Sequence, residues 1–221
     1  MTTSLPCVGR PPFSFKVEGP DDWDVLETTP QRWQISLERF LDRLTHSDDA
    51  ATAAAARTYR PGLEDLLESV IRGAQQAGTA LCLLRFGIDK DRQPFSASLT
   101  LSFVNTSPLP ASTTLTLEAF ATPAPGRDVD ELDLPDRDPA VMVTTTTAYD
   151  ETLIGLFGHD GASVTAQAYV PMPGTTWTAV LTGTSSRSEH ASLMQSLAAR
   201  MAHTLHRTDQ METATGAAPR T

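Results

Sequence analysis

The sequence predicts an α+β fold, an antiparallel sheet with helices packed on it. Three observations carry that prediction. Residues 96–104 alternate cleanly, with Ala97, Leu99, Leu101 and Phe103 on one side and Ser96, Ser98, Thr100 and Ser102 on the other. Residues 163–170 do the same, with Val164, Ala166, Ala168 and Val170 opposite Thr165, Gln167 and Tyr169. Apolar stripes at helical spacing occupy the stretch before the first of these strands and the stretch after the second, and short turns join most strands.

The N-terminal elements follow in order. Residues 1–12 are polar and Pro/Gly-containing, a disordered leader by composition. Phe13, Phe15 and Val17 alternate with polar residues, and Trp23 and Val25 do so again beyond a turn. This reads as a hairpin with a long loop. Thr29-Pro30 then opens a helix, a capping residue followed by a proline at the first position. Trp33, Leu37, Phe40, Leu41 and Leu44 form its stripe. Residues 50–57 are alanine-rich, a short helix or a linker. Pro61 begins a stronger helix that buries Leu63, Leu66, Leu67, Val70, Ile71 and Ala74 and frays at Gly73 or Gly78.

Residues 81–86 are almost wholly apolar and read as a central strand. Residues 89–92 form a charged turn. Residues 112–120 fit either a strand or a short helix. Residues 141–147 are β-branched and read as a strand. The turn at residues 171–176 joins the strand 163–170 to a strand starting at Trp177. A closing helix follows at 187–206, with Ser186 and Glu189 in capping-box spacing and Leu193, Met194, Leu197, Met201 and Leu205 facing the sheet. His203 belongs to the same packing. Residues 208–221 are a polar, disordered tail, so one domain spans 13–207.

Composition narrows the function classes. Net charge is −10, from 27 acids against 17 bases, which opposes binding to nucleic acid or to anionic membrane. No run approaches the length of a membrane span. Residues 1–16 show no charged n-region followed by an apolar run, so no signal peptide is expected and the expected location is cytoplasmic. Cys7 and Cys82 make no disulfide framework.

Chemistry-bearing residues are sparse. His203 and His206 stand three apart on the closing helix, a chelating spacing without a third ligand; a cation at a helix C-terminus accounts for them. His159-Asp160 between glycines reads first as a tight turn, and as an acid–base pair in the alternative. Asp128, Asp130, Glu131, Asp133, Asp136 and Asp138 lack the glycine and spacing of a calcium loop and read as a solvated acidic edge. There is no nucleophile elbow and no phosphate loop. No catalytic, metal or cofactor site is assigned. The alternative is a hydrolase or metal-dependent enzyme using His159/Asp160 or the acidic segment 128–138.

Three segments together carry a resemblance. They are Phe13-Ser-Phe-Lys-Val with Asp22-Trp23-Asp24-Val25, then Tyr169-Val-Pro-Met-Pro-Gly-Thr-Thr-Trp177, then residues 179–184 running into Leu193, Met194, Leu197, Met201 and Leu205. Their order resembles the Mog/PsbP-like fold, an α/β/α sandwich, and within it the actinobacterial proteins related to the LpqN/LpqT group. The chain departs from the lipoprotein members in lacking their lipidated cysteine and in carrying a helical insert at 32–76. The resemblance implies binding or assembly proteins with no shared catalytic set. It leads to the expectation of a cytoplasmic chaperone or adaptor of a bacterial secretion system. The partner would be a secreted or membrane-associated protein, or a second copy. The Ser96, Ser98, Thr100 and Ser102 face is the expected binding surface.

Overall fold

The computed structural model describes residues 7–88, 94–148 and 162–208. The strands are β1 (Cys7–Val8), β2 (Phe15–Lys16), β3 (Asp24–Val25), β4 (Leu81–Ile88), β5 (Pro94–Asn105), β6 (Arg127–Leu132), β7 (Ala140–Ala148), β8 (Ala162–Pro171), β9 (Trp177–Ser185) and β10 (His206–Arg207). The helices are α1 (Trp33–Thr45), α2 (Ala50–Gln76), α3 (Thr113–Ala119) and α4 (Ala191–Thr204). An eight-stranded antiparallel sheet runs β3-β4-β5-β9-β8-β7-β6, with β1 added to β5. β10 and β2 form a separate pair. The α+β class therefore holds.

One sheet face is the main core. Ala97, Leu99, Leu101 and Phe103 of β5, Val164, Ala166, Ala168 and Val170 of β8, and Ala179 and Leu181 of β9 pack under Met194, Ala198, Met201, Ala202 and Leu205. The alternation read from β5 and β8 is thus the alternation of burial. On α4, Leu193 is 48% exposed and His203 is exposed, against expectation. The helix turns its Met194–Ala198–Met201–Ala202 stripe inward, and a residue one step off that stripe points to water. Leu197 is partly buried at its margin.

The second core lies on the opposite face, over β4 only. Leu37, Phe40, Leu41 and Leu44 of α1 meet Ala56, Leu63, Leu67 and Ile71 of α2 on Leu26, Cys82 and Leu84. Burial on both faces explains the apolar run of β4: Leu83 joins the main core while Cys82 and Leu84 join the helical one. β4 is therefore not central. It has one long neighbour, β5, and a two-residue neighbour, β3.

Four further expectations are corrected. The N-terminal strands do not form a hairpin: β2 pairs with β10 and β3 with β4. The Phe13 and Phe15 rings pack on Phe103, with centroids at 6.0 and 4.9 Å, and this draws that segment across the core. The first helix starts at Trp33, because Thr29 closes a turn whose carbonyl takes the Arg32 and Trp33 N–H groups. Pro61 starts no helix; α2 runs through it from an N-cap at Asp49. The buried positions Ala53, Ala56, Leu63, Leu67, Ile71 and Ala74 keep one stripe across the proline, so packing outweighs its local cost. The capping box does not form. The Ser186 hydroxyl takes the Ser96 N–H at 3.1 Å, and Glu189 pairs with Arg187.

The end of α2 follows its local signal. α2 ends in a Schellman motif, with Gly78 at φ 56°, Thr79 N–H on the Ala74 carbonyl and Gly78 N–H on that of Gln75. Residues 112–120 resolve to α3, where the Ser112 hydroxyl accepts the Leu115 N–H. Residues 7 and 8, within the stretch read as a leader, pair with Asn105 and Val104.

A polar sheet face between two helical walls as the candidate binding site

The pleat that buries Ala97, Leu99 and Leu101 turns Ser96, Ser98, Thr100 and Ser102 to the other face, where all four are half-buried. Register brings them partners from two more strands. Ser98 stands opposite Thr184, which stands opposite Thr165, which stands opposite Thr145. Thr100 stands opposite Thr182, and Thr182 opposite Gln167. At the usual strand spacing the first row spans roughly 14 Å. Within it the Thr165 and Thr184 hydroxyls lie 3.5 Å apart. Gln167 Nε2 donates to Thr182 Oγ1 at 3.3 Å, and the Tyr169 hydroxyl donates to Gln167 Oε1 at 3.2 Å.

The two end members differ. Ser96 sits at the corner, its carbonyl accepting the Ser186 N–H at 3.0 Å. Ser102 faces Val180, beyond which come Tyr169 and Val141, so its row turns apolar. The face is walled on one side by α1 and α2, which cover Leu84 and Cys82 opposite Ser98 and Thr100. On the other side Phe120, just after α3, packs on Tyr169 with centroids 5.0 Å apart. The Arg127 guanidinium lies 5.5 Å from the Phe120 centroid. Burial pushes the Tyr169 phenol up, and Arg127 opposes that shift.

The other candidates do not converge. His159 and Asp160 lie outside the described residues, as does the charged turn at 89–92. His203 is on α4, but His206 is on β10 opposite Lys16, so the two do not share a helix. The acidic stretch divides: Asp128, Asp130 and Glu131 are on edge strand β6, and Asp133, Asp136 and Asp138 are exposed in the following loop. Charge on an edge strand discourages uncontrolled pairing. Among the described residues no group of three or more His, Cys, Asp or Glu could hold a metal ion.

One pair escaped sequence reading. Ser185 Oγ lies 2.8 Å from His190 Nδ1 and takes the Arg187 N–H at 3.3 Å. Ser185 is 0% exposed, so its hydroxyl ties the end of β9 to the turn before α4 and meets no solvent-borne substrate. The residues missed on the polar face are Thr182 and Thr184. Gln167 and Thr165 showed the right alternation, but only register puts them beside β5.

Fold and face together define an α+β protein that presents a hydroxyl- and amide-floored sheet between helical walls. No family model matches the chain, and no curated protein matches it. Among solved structures it is similar to LpqN of Mycobacterium tuberculosis, described as involved in cell envelope biogenesis. That likeness covers 92% of this chain and 90% of that one, at 10% identity and a TM-score of 0.43. It is a likeness of fold at most. The cytoplasmic expectation is corrected on this finding, since LpqN is described as involved in cell envelope biogenesis. Among the described residues no helix is long and apolar enough to cross a membrane.

Proposed function

We propose that the chain is a non-enzymatic protein-binding module, an adaptor or chaperone whose partner docks on the polar face of the sheet. The observation that supports this reading is the row of Ser98, Thr184, Thr165 and Thr145, continuous across four strands and left half-exposed between two walls. The hydroxyls of Ser98, Thr100 and Ser102 have no hydrogen-bond partner among the described residues, so they are open to a partner's backbone groups. Tyr169 and Phe120 supply a rigid aromatic rim of the kind that anchors interfaces.

A Thr100→Arg/Thr182→Arg double variant fills the floor at two half-buried positions that belong to neither core. The native chain should capture a stoichiometric protein from its host, and the variant should lose it at an unchanged melting temperature. Equal capture by both, or no capture together with a monomer by light scattering, sinks the proposal.

A further inference from the structure

We infer that the open edge of β4, beside the α1–α2 connection, docks an extended basic segment of a partner polypeptide. β3 covers only part of that edge. Asp24 pairs with Leu84 and Val25 with Leu83, and the Cys82 carbonyl takes the Leu26 N–H at 2.8 Å. Backbone polar groups alternate sides along an antiparallel strand. Cys82 and Leu84 point toward β3, so Phe86 and Ile88 point the same way. The partner strand ends at Asp24, and among the described residues nothing pairs with Phe86 or Ile88 on that side. Two sets of N–H and C=O groups about 7 Å apart are therefore left without a strand partner, the arrangement that β-augmentation uses.

The space for an added strand is present. A cleft of about 530 Å³ opens there, lined by Phe86, Gly87, Ile88 and Phe95, by Asp22 and Asp24, and by the α1–α2 connection. Its charge selects the occupant. Arg43 is paired with Asp24 and Arg85 with Asp22, whereas Asp48 and Asp49 have no ion-pair partner among the described residues. Asp49 stays ionised, because its carboxylate accepts hydrogen bonds from Thr52 and Ala51 that hold it below the usual range. Phe86 packs toward the α1–α2 core. A residue paired opposite it would share that face, and a lysine or arginine there reaches toward Asp48. This site is independent of the polar face proposed above, which lies beyond α1 and α2 on β5, β9 and β8.

The test uses a fluorescein-labelled Lys-Thr-Lys-Val-Lys-Thr peptide, with a Glu-for-Lys version as control, and anisotropy on the full chain. The lysine peptide should bind and weaken as salt rises; the glutamate peptide should not bind. Ile88→Pro removes one open-edge N–H without removing a bond to β5, and should lower affinity about tenfold, whereas Ile88→Ala should not. Asp48→Lys should weaken binding, while Thr100→Arg/Thr182→Arg should leave it unchanged. If Ile88→Pro lowers the melting temperature, the Phe86 and Ile88 amide resonances of the native chain decide, and they should shift on titration. Equal binding of both peptides, full binding by a folded Ile88→Pro chain, or unmoved amides overturns the inference.

Discussion

The Arg137 guanidinium donates from Nη1 to the Leu205 carbonyl at 2.6 Å, and its Nη2 donates to the carbonyl of Ala202. A side chain from the β6–β7 connection thus closes the C-terminal end of α4. Those carbonyls lie where a helix leaves its acceptors unsatisfied and its dipole favours a cation. Part-burial lowers the Arg137 pKa from its ordinary value, yet guanidinium remains charged throughout the accessible range.

Arg137→Ala should therefore destabilise the fold by about 1.5–3 kcal/mol, the range for hydrogen bonds to a charged group. Arg137→Lys should recover only part, because a single ammonium does not reproduce the two-carbonyl fork. Urea denaturation measures both. An alanine variant indistinguishable from the native chain would show that the link carries no stability.

The packing of α4 predicts a contrast between two positions along its length. Met201, at 1% exposure, should cost about 2–5 kcal/mol when truncated to alanine. Leu193, at 48%, should change stability by less than about 0.5 kcal/mol. Thermal or chemical unfolding of the two variants gives the comparison. Similar costs at both positions would mean that the helix docks on a different stripe.

Cys82 gives the pH dependence. Burial alone pushes its thiol up from the ordinary cysteine range to about 12. The folded chain then holds this proton where the unfolded chain releases it. The contribution is intact below pH 9 and is lost as pH rises toward 12, by up to about 1.4 kcal/mol per unit. Cys82→Ala should remove that component of the slope between those limits. In a Cys7→Ser background the native thiol should resist an aromatic disulfide reagent at pH 8 and react after unfolding. Fast native labelling would contradict the burial.

Much of the fold follows from short-range pattern. The alternation in β5 and β8, the α1 stripe and the Gly78 end of α2 all come from residues a few positions apart. The errors share one cause. Phe15 and Val25 are each a good strand residue, but nothing local distinguishes a mutual hairpin from pairing with Arg207 and Leu83. Pro61 stops a helix by its own chemistry and fails to stop this one because Ala56 and Leu63 are buried in one core on either side of it.

The candidate site divides the same way. Period-two alternation by itself determined that Ser98 and Thr100 share a face, since a strand turns successive side chains to opposite sides. Only the tertiary structure decided that Thr184, Thr182, Thr165 and Gln167 continue that face, that α1 and α2 wall it, and that Phe86 and Ile88 are left at an open edge. Those facts depend on register and on where a neighbouring strand stops. Both are set by contacts between residues far apart in the chain, which no local window contains.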